Sequence, residues 1–368
     1  MRKNLFAILP GIFLLLVLLC GCCGIRQKHS DTKTALRFHR VFTWGRPVND
    51  DAAKRYAEAG VTDIPVGNQK QSELAIKYGM TPYIATFTAA GPHKQVMTPE
   101  EEKFFIYIMG KDLDRKLPQE ERMKIIHRRR TESNHRYGGE KEAKLDVLAH
   151  RIPCFISDTD FSFSRKKLDM LLKKAGPGIK GMYLDAIGYT NHRGCYCKDC
   201  LKNLKNYLRK NNLPDTQANR DIFYRNELIN YYNKVIDYIK LRRPDFKIVA
   251  QLWPDFQPDP VFGNRLKLDF CGQTVAWYFK WKEEKIARYT RYVVEHARDH
   301  YSFSEGIPFL GINSSRQTSL GHKTPQDLEK ELQIILNSGG RTLMICTGAV
   351  MIENGYFEVF KKYCTLQK

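Results

Sequence analysis

Short apolar runs alternate with amphipathic stretches along most of this chain. An apolar run closed by glycine or a polar turn reads as a buried strand. A stretch with apolar positions every three or four residues reads as a surface helix. Arg37–Gly45 predicts a first strand, and Asp50–Gly60 an amphipathic helix stopped by glycine. Val61–Val66 and Gln69–Gly79 repeat the unit, and Thr81–Thr88 supplies a third strand.

Residues 90–150 break this rhythm. They are charged, with helical stretches around Pro99–Gly110 and Gln119–Arg130, and they end in Glu140–His150. We read them as an insertion after the third strand, lying over one mouth of the fold. The alternation resumes after an irregular extended piece, Pro153–Asp158, with a helix over Ser164–Ala175 and a fourth strand over Lys180–Gly188. A cysteine-rich loop and a long helix, Asp221–Arg243, lead to Phe246–Trp253 as strand five. Leu268–Tyr278 is strand six, followed by a helix over Lys282–His300. Ile307–Asn313 is strand seven, and the helix Pro325–Ser338 after it has Thr324 as its cap. Arg341–Thr347 and Tyr356–Tyr363 supply the last strand and helix. Eight strand–helix units predict an α/β fold, a (β/α)8 TIM barrel with an insertion after strand three. A doubly wound open sheet is the rival, but no Gly-rich phosphate fingerprint follows the first strand.

The N-terminus changes the setting. Residues 1–24 have a basic start, an apolar core from Leu5 to Leu19 and small residues with cysteine after it, the pattern of a signal peptide. Leu19-Cys20-Gly21-Cys22 resembles a bacterial lipobox, with Cys22 as the lipidated residue and Cys20 a poorer acceptor. The alternative is an uncleaved anchor. Residues 25–35 read as a polar tether and residues 36–368 as the barrel domain. The expectation is a cell-envelope protein held to a membrane by its N-terminal lipid, in the periplasm or on the surface. Lys and Arg outnumber Asp and Glu by 60 to 40, a net charge of +20. That favours anionic surroundings such as acidic glycans or lipid head groups, or is simply a solvated basic surface. No nucleic-acid motif accompanies the charge, so nucleic acid is not an expected partner.

Candidate chemistry concentrates in Gly181–Cys200. Met182-Tyr-Leu runs into Asp185, placing a carboxylate at a strand's C-terminal end, where parallel barrels keep their active sites. Cys195, Cys197 and Cys200 follow as C-x-C-x2-C. Three thiols in one short loop suit a tetrahedral zinc site, and Cys154 is the best fourth ligand, with His192 as a substitute. A disulfide is the other reading, since export means an oxidising compartment. Cys271 and Cys346 sit in apolar strand contexts and read as buried small hydrophobes.

Cys154 with Cys195-Tyr-Cys197-Lys-Asp-Cys200, continued by Leu201-Lys-Asn-Leu-Lys-Asn-Tyr-Leu, resembles the four-cysteine zinc clip of glycoside hydrolase family 42 β-galactosidases. The resemblance spans roughly residues 150–210. It implies a barrel scaffold, a structural zinc on those four cysteines and a carbohydrate setting. The family's Asn-Glu pair at the end of strand four is replaced here by Asp185-Ala186. Its strand-seven glutamate is replaced within Gly311-Ile-Asn313-Ser-Ser, so the resemblance carries no catalytic glutamate into this chain.

Glycoside hydrolysis generally uses two carboxyl groups flanking the bond. Asp185 is the first choice as nucleophile or base. The local Gly-x-Tyr-Leu-Asp is similar to barrel glycosidases with a strand-four aspartate nucleophile; the alternative is that Asp185 caps its loop. Asp255, beside Trp253 after strand five, and Glu140, in the glycine-rich part of the insertion, are the candidate acids. Glu305 precedes strand seven and belongs to the opposite mouth. Trp44, Arg46, Asn68, Asn191, His192, Trp277, Tyr278, Asn313 and Arg316 follow strand ends, where rings stack on sugar faces and polar groups read hydroxyls. The function expected is hydrolysis of an oligosaccharide or polysaccharide, with a non-catalytic glycan-binding barrel as the alternative. A metal-dependent hydrolase would need a His/Asp cluster on several strand ends, and the histidines here are scattered.

Overall fold

The computed structural model describes residues 36–87, 89–138, 147, 151–252, 265–278, 281–296, 305–314 and 322–364. Eight parallel strands close into a barrel in chain order. They are β1 (Arg40–Thr43), β2 (Asp63–Val66), β3 (Thr81–Phe87), β4 (Gly181–Ile187), β5 (Lys247–Leu252), β6 (Phe270–Ala276), β7 (Glu305–Gly311) and β8 (Thr342–Cys346). Pairing of β8 with β1, from Arg40↔Thr342 to Thr43↔Ile345, removes both sheet edges and excludes an open doubly wound sheet.

Helices α1 (Asp50–Glu58), α2 (Gln69–Lys77), α5 (Ser162–Lys174), α6 (Lys198–Lys210), α7 (Gln217–Arg242), α8 (Glu283–His296), α9 (Pro325–Asn337) and α10 (Tyr356–Tyr363) connect the strands. Two more, α3 (Pro99–Ile108) and α4 (Gln119–Gly138), fall between β3 and α5. Their starts follow local chemistry. Thr98 and Thr324 each form a capping box with the acid three residues on, and a proline holds the first turn. Asn49 and Asn68 cap α1 and α2 by accepting from Ala52 N and Gln71 N. Pro153–Asp158, expected as an extended piece, contains a 3-10 turn at Phe155–Ser157. Among the described residues no helix is long and apolar enough to cross a membrane.

Side chains alternate across each strand, which divides the core in two. Phe42, Tyr83, Tyr183, Val249, Phe270, Ile307, Phe309 and Met344 fill the barrel interior as a packed plug. Ile64, Leu184, Ile248, Leu310 and Ile345 belong to the larger core that includes the apolar helix faces. Gly181 faces inward, where a Cβ would stand 2.0 Å from the Lys247 carbonyl and 2.7 Å from the Tyr83 ring, so only glycine fits.

At the floor of the plug Arg40 donates twice to Asp63, at 2.9 and 2.7 Å, and Tyr83 donates to the same carboxylate at 2.8 Å. The guanidinium also lies 4.1 Å from the Phe270 ring centroid. Glu305 opens β7 at this end and pairs in register with Phe270, away from the C-terminal mouth as expected. The charges at the floor satisfy one another, which leaves the opposite mouth for chemistry.

Candidate functional site

The register of β4 with β5 shifts between Leu184 and Ile187, but its ladder with β3 stays in register from Gly181 to Asp185. Alternation along that ladder places Asp185 on the face of Tyr183, one layer closer to the C-terminal mouth. Its backbone pairs in register with Phe87 of β3. Across the mouth the Tyr278 hydroxyl and the Cys346 thiol are 2.8 Å apart. The Thr347 hydroxyl donates to Asn313 Oδ1 at 3.2 Å and lies 3.5 Å from the Tyr278 hydroxyl. Hydrogen bonds therefore join the ends of β6, β7 and β8. Burial pushes the Tyr278 phenol well above its ordinary value, and the Cys346 thiol next to it adds to the shift. Burial likewise moves the Cys346 thiol up to about 11, keeping it a neutral thiol. The Asp185 charge raises both groups further, so it lies within electrostatic reach of that cluster.

Trp277 packs 4.4 Å from Tyr278 and 5.5 Å from Phe309 between ring centroids. A Cβ at Gly311 would stand 2.8 Å from the indole, so the glycine leaves the space Trp277 fills. Trp44 meets Tyr183 edge-on at 5.3 Å, and its indole N–H is buried with no partner among the described residues. Arg46 is exposed beside it.

Asp185, Trp44, Trp277, Tyr278 and Asn313 thus share the mouth, while Asn191 serves its own loop. The Asn191 amide is buried, donates to Glu101 at 2.8 Å and accepts from Arg193 N and Gly194 N. His192 follows in a left-handed backbone conformation, φ 57°. Asn68 is occupied in capping α2. Asp255, Glu140, Trp253, Arg316 and Cys22 lie outside the described residues.

Cys346, Thr347 and Glu353 are additions that sequence reasoning missed. Cys346 ends β8 two positions after the inward-facing Met344, a period-two signal that could have placed it in the mouth. Glu353 follows the 3-10 turn Gly348–Ile352 and accepts from Ser314 at 3.2 Å, which puts a second carboxylate on the β7–β8 rim.

Beside this mouth lies the four-cysteine cluster. Cys154, Cys195, Cys197 and Cys200 are all buried, and their sulfurs lie within 4.8 Å of one another. Cys154 Sγ is 3.7 Å from Cys197 Sγ and 3.4 Å from Cys200 Sγ. A disulfide needs about 2.05 Å, and the four thiols are free. Four thiolates at about 2.3 Å from a central zinc would stand roughly 3.8 Å apart, so the cluster fits a metal ion.

Three segments build this cage. Residue 93 accepts from Cys154 N at 2.8 Å, Val96 N points at Cys195 Sγ at 3.4 Å, and Val96 O accepts from Tyr196 N at 2.9 Å. Gly91 permits that approach, because a Cβ there would meet the Cys154 carbonyl at 2.1 Å. Hydrogen bonds from Cys195 and Cys200 draw the Cys154 thiol down, and their own values rise in exchange. Burial would raise the Cys197 thiol, but hydrogen bonds from Cys200, His93 and Ser157 outweigh it and draw that thiol down as well. His93, hydrogen-bonded to Cys197, is raised above its ordinary value. With four protein ligands the cluster leaves no open position for substrate, the arrangement of a structural site.

No family model matches the sequence, and no curated protein sequence matches it. Solved structures do match. One is the PgaB (BpsB) glycoside hydrolase domain from Bordetella bronchiseptica, with a TM-score of 0.50 and 10% identity over 90% of this chain and 100% of that one. Another is the β-galactosidase from Bacillus circulans sp. alkalophilus, with a TM-score of 0.52 and 13% identity over 89% of this chain. The aligned part covers 56% of that longer enzyme. At such identities the likeness is one of fold: this chain has the (β/α)8 barrel that these glycoside hydrolase structures also have.

Proposed function

We propose that this barrel is a glycoside hydrolase acting on an oligosaccharide or polysaccharide, with Asp185 as nucleophile or base. The observation that carries the reading is the position of Asp185, one layer above the packed plug at the C-terminal end of β4, within electrostatic reach of Tyr278 and Cys346. A carboxylate there faces the space where a sugar would sit, and Trp44 and Trp277 supply ring faces at the same mouth. Likeness of fold to two glycoside hydrolase structures supports the assignment. Asp255 and Glu140 remain the proposed general acids, and Glu353 on the rim joins them as a third candidate.

Two further proposals accompany this one. The four-cysteine cluster holds a structural zinc that ties the segment after β3 to the start of α6. The N-terminal segment exports the chain and anchors it by a lipid on Cys22 in a bacterial cell envelope. Cys22→Ser should then move the protein from the membrane fraction to the soluble one, and retention at the membrane would refute the anchor.

A panel of glycans offered to wild type and Asp185→Asn tests the enzyme. Wild type should release product, and the variant should lose about 10²- to 10⁴-fold in turnover while still binding. Binding without turnover in both proteins would replace the hydrolase with a non-catalytic glycan-binding barrel.

A further inference from the structure

A cavity of about 200 Å³ lies between α2 and α5 and reaches Ala85, which packs against the plug, while Asp185 is not part of its lining. Its floor is apolar, from Val66, Ile84 and Leu171. Its polar lining is Arg46, Asn68, Gln69, Ser72 and Lys174, with no carboxylate. The volume holds roughly six waters, enough for one oxyanion and part of the molecule bearing it.

Four features of the cavity favour an anion, beside a Gln69 carboxamide whose Nε2 donates to Glu73 at 3.1 Å. Arg46 and Lys174 are exposed cations, and neither pairs with a carboxylate among the described residues. The nine-residue helix α2 starts at the cavity. Its Asn68 cap satisfies Gln71 N, but the first-turn N–H groups of Gln69 and Lys70 have no acceptor within the helix. Ser72 is 1% exposed, and its hydroxyl is a buried donor without a partner among the described residues. Leaving a hydroxyl unpaired in a buried wall costs free energy that a ligand oxygen would restore.

Glycines shape the entrance. Arg46 Nη1 lies 3.3 Å from where a Cβ of Gly67 would stand, so the guanidinium lies over the turn from β2 into α2. A Cβ on Gly178 would stand 3.2 Å from Ser72 Oγ, and one on Gly176 would stand 2.8 Å from Gln69 Oε1. Side chains at these positions would crowd the Ser72 hydroxyl and the Gln69 carboxamide oxygen.

We propose that this cavity binds a single oxyanion group, a carboxylate or a phosphate, between Arg46, Lys174, Ser72 and the N-terminus of α2. The site is independent of hydrolysis at Asp185 and stands whether or not the barrel cleaves glycans. A carboxylate would come from an acidic sugar and a phosphate from a phosphorylated ligand.

Titration calorimetry on the full chain at constant ionic strength tests the site, with inorganic phosphate and D-glucuronate as separate probes. Wild type should bind at least one of them saturably at millimolar concentration, and the preferred probe names the source. Arg46→Gln should weaken binding by about 10-fold or more, and Ser72→Ala by several-fold. Lys202→Gln, an exposed charge on α6, should leave it unchanged. Because Arg46 is exposed, its variant should keep the wild-type melting temperature, which separates lost binding from lost folding. No saturable binding of either anion would overturn the site. So would equal affinity in wild type and Arg46→Gln.

Discussion

Removing the proposed zinc from the four-cysteine cluster should loosen one flank of the barrel by an amount that follows from general magnitudes. The cage links residues 93–96, the chain at Cys154, the loop after β4 and the first turn of α6. An ion bound only by the folded chain, at about 1,000 times its dissociation constant, contributes about 4 kcal/mol. Unfolding a barrel of roughly 330 residues carries an entropy of about 0.7 kcal/mol per kelvin. Stripping the ion should therefore lower the melting temperature by about 6 °C. The assay is scanning calorimetry with and without excess chelator under reducing conditions, alongside elemental analysis of the purified protein. One zinc per chain is expected. Cys200→Ala should melt at least as low as the stripped wild type and ignore the chelator. Purified protein with far less than one metal per chain, together with a melting temperature unmoved by chelator, would refute the structural zinc.

Two other predictions concern buried charge. Lys323 donates to the Gly311 carbonyl at 3.0 Å and to Glu331 at 2.7 Å, and both side chains are buried. Lys323→Met removes the cation paired with the buried Glu331 carboxylate and should cost about 3–5 kcal/mol in urea unfolding, while Lys323→Met with Glu331→Leu should regain most of it. No recovery in the double variant would show that the loss comes from packing. Burial alone would raise the Asp269 carboxyl, but Lys247, the Ile248 N–H and Lys240 outweigh it and hold it below 3.8. A depressed folded value means the contribution is complete above the unfolded pKa and fades as pH falls through the folded one. Asp269→Asn should thus cost about 1–3 kcal/mol at pH 7, with the gap to wild type closing below pH 3.8. An equal gap at pH 7 and pH 3 would contradict this ion-pair account.

Much of the fold is legible because each unit carries its own local signal. The closing helix Tyr356–Tyr363 coincides with the expected range, and Thr324 caps α9 as its sequence suggests. Most strands begin or end inside their expected runs, as with Arg40–Thr43 inside Arg37–Gly45, but β7 starts two residues earlier than expected, at Glu305, because Glu305 pairs with Phe270 of β6. Cys154 joins a cluster with three cysteines more than forty positions away, an association made readable by the C-x-C-x2-C spacing.

The site was less legible. Asn191 looked like a ligand-reading amide after a strand, but Glu101 of helix α3 and two local N–H groups use it. Cys346 looked like an ordinary core thiol, but inward alternation on β8 carries it to Tyr278. In both cases the partner lies far away in sequence, and local patterning says nothing about it.

The sequence by itself determined the strand–helix rhythm, the helix caps and the thiol spacing, all of which depend on interactions within a few residues. Only the tertiary structure decided that β8 meets β1, and that Asp185 faces a linked Tyr278–Cys346–Thr347–Asn313 cluster. It also brought Arg46, Ser72 and Lys174 around one cavity. Barrel closure and strand twist set these meetings, and their geometry arises from all eight strands together.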